Sequence, residues 1–147
     1  MMPTVDQKLT VLTLGVRDLA RSRAFYTDSL GWKPTLDIED EVVFYQVGYG
    51  LLLALFGLED LGNDAGHPAT PGTPFSLGHN VDSEDAVDEA TERARAAGAT
   101  ILKEPQRASF GGYHAYLADP DGHCWEIVHA PGIAVGDDGT VRFGAPS

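Results

Sequence analysis

A chain of 147 residues is long enough for one domain with a true core. With 10 basic against 22 acidic side chains the net charge is −12, which argues against a nucleic-acid or anionic-membrane partner and mildly favours neutral or cationic ligands. The single cysteine, Cys124, excludes an internal disulfide. No signal-like leader is evident and no window approaches roughly 18 uninterrupted apolar residues, so a cytoplasmic protein without a membrane span is expected.

In chain order, the first strand ends at Val16 and a helix opens near Asp18, a good N-cap. Leu19, Tyr26 and Leu30 recur at helical spacing with Phe25 beside them, and Gly31 follows. Strand-like runs come next at 32–37, 41–47 and 51–56. The stretch 57–73 is rich in Gly and Pro and lacks periodicity; it reads as a mobile loop bordering a site, or as a linker. A second unit then begins, with a strand ending at Val81 and a helix opening at Ser83, with Glu84 and Asp85 in its first turn. Ala86, Val87, Ala90, Ala94 and Ala97 form its buried stripe and Gly98 stops it. Strands follow at 100–103, 110–118 and 123–130, and residues 135–141 read as a hairpin forming a short edge extension.

The two units share one plan. Val16 to Gly31 spans 15 residues and Val81 to Gly98 spans 17, so the chain contains an internal β-α-β-β-β repeat. The expected organisation is a single α+β domain over 1–147. Module one occupies about 8–57, a loop 58–72, module two about 73–130 and a C-terminal extension 131–147. Between the last two strands, Asp119, Pro120 and Gly122 stand where a type I turn favours them.

This repeat, the helix-opening segment Val16-Arg17-Asp18-Leu19-Ala20-Arg21-Ser22, and Asp119-Pro120-Asp121-Gly122 leading to Glu126 resemble the vicinal oxygen chelate superfamily over roughly residues 8 to 130. That group includes glyoxalase I, extradiol dioxygenases, fosfomycin-resistance enzymes and bleomycin-binding proteins. The resemblance implies tandem modules curling into a half-open, cup-shaped mixed sheet with helices outside, and pairing of two chains. Its enzymes hold a divalent metal in the cup, with one ligand from each of four strands. Mapped onto this sequence, those positions are Val11, Ala54, Ser76 and Glu126. Val and Ala have no donor atom and neutral Ser is a poor ligand, so no metal and no cofactor is expected.

Strand parity, anchored on Glu126 and on the resemblance at Tyr116, names what should line the cup. These are Val11 and Thr13, then Phe44, Gln46 and Phe56, then Ser76, then Phe110, Gly112, His114 and Tyr116, then Glu126, with Trp32 closing one end. Cys124 and Val128 share the face of Glu126. Among the histidines only His114 is placed to pair with Glu126. His79 should face the helix layer as a hydrogen-bonded structural residue, His67 should be solvated, and His123 and His129 should lie opposite Glu126. An apolar, aromatic-rimmed cavity with a few polar groups is how small-molecule sites are built. The expected function is metal-independent binding of a small molecule by a homodimer, in the style of drug-sequestering resistance proteins, with an aromatic or cationic ligand. The alternative is a glyoxalase-like lyase, isomerase or dioxygenase using Glu126 and His114, with or without a divalent metal. Glu126 itself could be a water-exposed leftover, or a desolvated carboxyl acting as hydrogen-bond donor or general base.

Overall fold

A computed structural model describes residues 7, 9–70 and 75–144. The repeat is realised as two four-stranded mixed sheets of identical topology. In the first, β1 (Val11–Val16), β2 (Pro34–Ile38), β3 (Val42–Gly48) and β4 (Leu51–Gly57) are ordered β1-β4-β3-β2. In the second, β5 (Ser76–Asn80), β6 (Thr100–Arg107), β7 (Tyr113–Ala118) and β8 (Cys124–His129) are ordered β5-β8-β7-β6. The first and last strands of each module run parallel and the rest are antiparallel hairpin neighbours, because a helical crossover is needed only between strands one and two. The sheets remain open, with helices on one side.

The helices begin where the capping residues place them. Asp18 Oδ1 accepts from the Arg21 amide at 3.1 Å to open α1 (Leu19–Arg23), and Ser83 Oγ accepts from the Ala86 amide at 3.0 Å to open α3 (Glu84–Ala96). After α1 the chain widens into a π-helical segment, Ala24–Ser29, in which the Leu30 amide reaches back to the Phe25 carbonyl. That wider turn brings both Phe25 and Tyr26 into the core. α3 packs on β6, β7 and β8 through Val87 and Ala94, as the Ala/Val stripe predicts. Thr91 joins this buried face because its hydroxyl donates to the Val87 carbonyl at 2.8 Å.

Alternate residues of β1, β3 and β4 (Leu14, Val16, Val43, Tyr45, Leu53, Leu55) are buried against Phe25 and Tyr26. Trp32, Leu77 and Trp125 pack onto the same cluster, so the modules meet through their helix-side faces. The turn 119–122 fastens them together. Its Gly122 amide closes on the Asp119 carbonyl at 3.0 Å. Its two carboxylates are buried: Asp119 accepts from the Tyr26 hydroxyl, and Asp121 accepts from the Arg17 amide, the Ser22 hydroxyl and Arg21.

Two expectations need correction. Residues 58–65, read as aperiodic loop, form α2 (Leu58–Ala65). Glu59 and Asp60 favour its first turn, Leu58 and Leu61 pack over Gly15, and Gly66 caps it at φ 71°. Two turns containing Gly62 and Asn63 are too short for periodicity to register. Residues 71–74 of the same stretch lie outside those described. The C-terminal hairpin, β9 (Ile133–Val135) with β10 (Val141–Phe143), pairs only with itself among the described residues and extends neither sheet. Among the described residues no helix is long and apolar enough to cross a membrane.

Candidate functional site

Register brings one polar group together on module two. Tyr116 stands opposite Glu126, His114 opposite Val128, Ser76 opposite Cys124 and Gly78 opposite Glu126. His114, Tyr116 and Glu126 therefore project from one face, away from α3. The His114 Nδ1 donates to Glu126 Oε2 at 2.8 Å, because an ionised carboxylate can only accept. His114 is 7% exposed, and its Nε2 is buried without a partner among the described residues. The pair is thus a buried imidazole held by a carboxylate.

Aromatic rings flank the pair. The Tyr116 ring lies edge-on to His114 at 5.4 Å between centroids, and Phe110 lies edge-on to His114 at 5.6 Å. Burial first, and then the adjacent Glu126 charge, raise the Tyr116 phenol above its ordinary value; it stays a neutral donor at physiological pH. Burial and the same carboxylate push the Cys124 thiol up, so the free cysteine is a poor nucleophile. Phe110 is 58% exposed and precedes β7 instead of belonging to it: the strand begins at Tyr113, and 108–112 form a turn closed by the Ala108 amide on the Gly112 carbonyl. Gly112 is required there, since a Cβ would strike the Phe110 ring and come within 2.7 Å of the His129 carbonyl.

Glu126, Phe110, Asn80 and Val128 border an open cavity of about 540 Å³ together with Ile133 and Phe143 of the C-terminal hairpin, whereas His114, Tyr116 and Ser76 do not border it. Sequence reasoning missed Ile133 and Phe143. Their signal was weak, since each arm of the hairpin carries two apolar residues of similar size or kind, Ile133 with Val135 and Val141 with Phe143.

The module-one candidates sit apart. Val11, Thr13, Phe44 and Phe56 share the face of Ala54, but none borders the cavity beside Glu126. The Gln46 amide donates to the Gly48 and Leu51 carbonyls within its own hairpin, so it serves the turn. Trp32 lies on the helix side, its ring 5.1 Å from Tyr26 and 5.8 Å from Trp125, where it cannot close the cup. His79 faces the helix side as expected, but it is exposed and makes no side-chain hydrogen bond with a described residue. His67 is exposed. His123 donates through Nε2 to the Gly15 carbonyl at 2.9 Å and His129 through Nδ1 to the Val81 carbonyl at 3.2 Å, both away from Glu126.

The strand registers also test whether a metal fits. Val11 relates to Leu52, and Thr13 to Ala54, as Ser76 relates to Cys124 and Gly78 to Glu126. The positions Val11, Ala54, Ser76 and Glu126 are thus two symmetry-equivalent pairs. Only Glu126 carries a strong donor, and one of its oxygens is taken by His114. No group of three or more His, Cys, Asp or Glu that could hold a metal ion occurs among the described residues. This donor set does not suit the divalent metal of the fold's enzymes.

Comparison with known proteins agrees with the architecture. The sequence pattern of the Glyoxalase/Bleomycin resistance protein/Dioxygenase superfamily matches residues 8–127. A lactoylglutathione lyase of Salmonella typhimurium is 34% identical over 131 residues, covering 80% of this chain and 88% of that protein. A glyoxalase-related enzyme from Fulvimarina pelagi is 39% identical, with a TM-score of 0.88 over 95% of this chain and 99% of its own. A glyoxalase/bleomycin resistance protein/dioxygenase family enzyme from Burkholderia phytofirmans is 26% identical, with a TM-score of 0.69 over 82% and 96%.

Proposed function

The chain belongs to the glyoxalase/bleomycin resistance/dioxygenase superfamily, and we propose that it binds a small organic molecule on the open face of module two without a divalent metal. The observation that carries this reading is the state of Glu126. The strand carrying it supplies a metal ligand in the superfamily's enzymes, yet its carboxylate bonds to His114 while Val11, Ala54 and Ser76 stand at the remaining positions. Glu126 and Asn80 supply the polar lining, Phe110, Ile133 and Phe143 supply apolar surface, and Tyr116 and Ser76 stand on the same strand face beside them. Such a lining suits a planar aromatic ligand, and the charge of −12 favours a cationic one. Sequestration of a drug or metabolite by a cytoplasmic homodimer is the physiological form of this proposal. The edge strands β1, β2, β5 and β6, which pair on one side only among the described residues, give a second copy somewhere to pair.

A second reading has its own observation. The Glu126 carboxylate, held by His114 at 2.8 Å and bordering the cavity, can take a proton from a bound carbon acid, which supports metal-free isomerase or lyase chemistry.

A thermal-shift screen of aromatic cationic drugs and natural products, run in chelator, tests the proposal. A ligand at a hundred times its Kd adds about 2.7 kcal/mol to stability. The expected result is a ligand-induced shift that persists in chelator and is lost in Glu126→Gln and His114→Ala. Metal-dependent turnover of lactoylglutathione, with no ligand-induced shift, would overturn it.

A further inference from the structure

The face opposite the cup carries a second cavity, of about 370 Å³, between the π-helical segment of module one and α3 of module two. Its walls are Phe25, Tyr26, Trp32 and Trp125. The aromatic wall exists because the π-helical turn places two consecutive rings, Phe25 and Tyr26, edge to face at 4.9 Å, and π-turns recur at functional sites. His79, Glu89 and Arg93 stand among its lining, with Glu89 one turn before Arg93 on α3, and none of the three forms an ion pair or side-chain hydrogen bond with a described residue. Arg93 Nη2 lies 3.3 Å from where a Gly31 Cβ would be, so the guanidinium bends across the gap from α3 to module one.

An uncommitted guanidinium beside a wall of four rings is unusual in a chain with a net charge of −12. Arginine pairs bidentately with carboxylates and its plane tolerates aromatic neighbours. The volume falls within the range of small-molecule sites. We infer that this crevice is a binding site, separate from the cup, for a small aromatic carboxylate. The ring lies against the edge-to-face pair of Trp32 and Trp125 and the carboxylate pairs with Arg93. The inference stands independently of the cup proposal, since no residue is shared between the two sites.

The test uses the chain's own reporters. Its two tryptophans both line this cavity, so a non-fluorescent probe entering it must perturb their emission. Titration of the full chain with 3-phenylpropionate should give a saturable fluorescence change matched by calorimetry. Affinity should fall at least about tenfold in Arg93→Gln, which removes the charge at an exposed position. It should fall similarly in Ala90→Leu, which fills the crevice. It should be unchanged in His114→Ala, which alters only the cup. The amine analogue 3-phenylpropylamine should bind at least about tenfold more weakly than the acid. The inference is overturned by no saturable change at millimolar probe, by binding that survives Arg93→Gln, by loss of binding in His114→Ala, or by equal binding of the amine. Arg93→Gln decides the matter if Ala90→Leu fails to fold.

Discussion

The Tyr26 hydroxyl donates a 2.6 Å hydrogen bond to Asp119 Oδ2, tying the π-helical segment of module one to the turn before the last strand of module two. Trp125 Nε1 donates to the same Tyr26 oxygen at 3.1 Å. Asp119 Oδ1 meanwhile accepts the amides of Asp121 and His123. One buried carboxylate therefore shapes its own turn and holds the neighbouring module.

Tyr26→Phe should destabilise the protein by about 1–3 kcal/mol, because Asp119 is left with an unpaired buried oxygen. Urea denaturation checks this. The loss should exceed that of Thr27→Val, whose bond to the Tyr45 hydroxyl is only partly buried.

The same pair sets an alkaline limit. Burial first, and then Asp119, raise the Tyr26 phenol well above its ordinary value near 10. Only the neutral phenol donates to Asp119. The stabilisation is complete below about pH 10, where the unfolded tyrosine begins to ionise, and is lost as pH rises through the raised folded value. The melting temperature should fall above about pH 10, and Tyr26→Phe should flatten that fall.

Asp121 makes the other half of the fastening. Asp121→Ala leaves the Arg17 amide and the buried Ser22 hydroxyl without their acceptor, at a cost of about 1–3 kcal/mol. Hydrogen exchange should quicken at the start of α1 and leave α3 protected. Equal loss of protection in both helices would mean that the turn supports the whole fold and not one junction.

Phe110 separates binding from folding. It is exposed and caps no strand, so Phe110→Ala should change stability by less than about 0.5 kcal/mol. It should weaken binding of a cup ligand by about 1–2 kcal/mol through lost ring contact, as isothermal calorimetry would record.

How far the sequence could be read depended on range. The β-α-β-β-β repeat, both helix caps and the turn at 119–122 are local patterns, and each is found in the structure. Pairing of His114 with Glu126 follows from parity alone, since adjacent antiparallel strands place both on one face. Trp32 lies before the first residue of β2, so strand parity did not govern it, and packing against Tyr26 decided its side. α2 was hidden by its brevity and its glycine. The roles of Asp119 and Asp121 were invisible because turn chemistry alone explains both residues. Only the fold brings Tyr26 and Ser22, roughly a hundred positions away, onto their carboxylates.

Metal content measured on the purified chain, with and without chelator, tests the central claim most directly. That claim is that Glu126 serves His114 and an organic ligand, not a divalent ion. The predicted result is a divalent metal content of less than about 0.1 equivalents per chain, with ligand-induced stabilisation identical before and after chelation. One equivalent of Zn, Ni, Fe or Mn per chain, removed by chelator together with ligand binding and absent from Glu126→Gln, would contradict it.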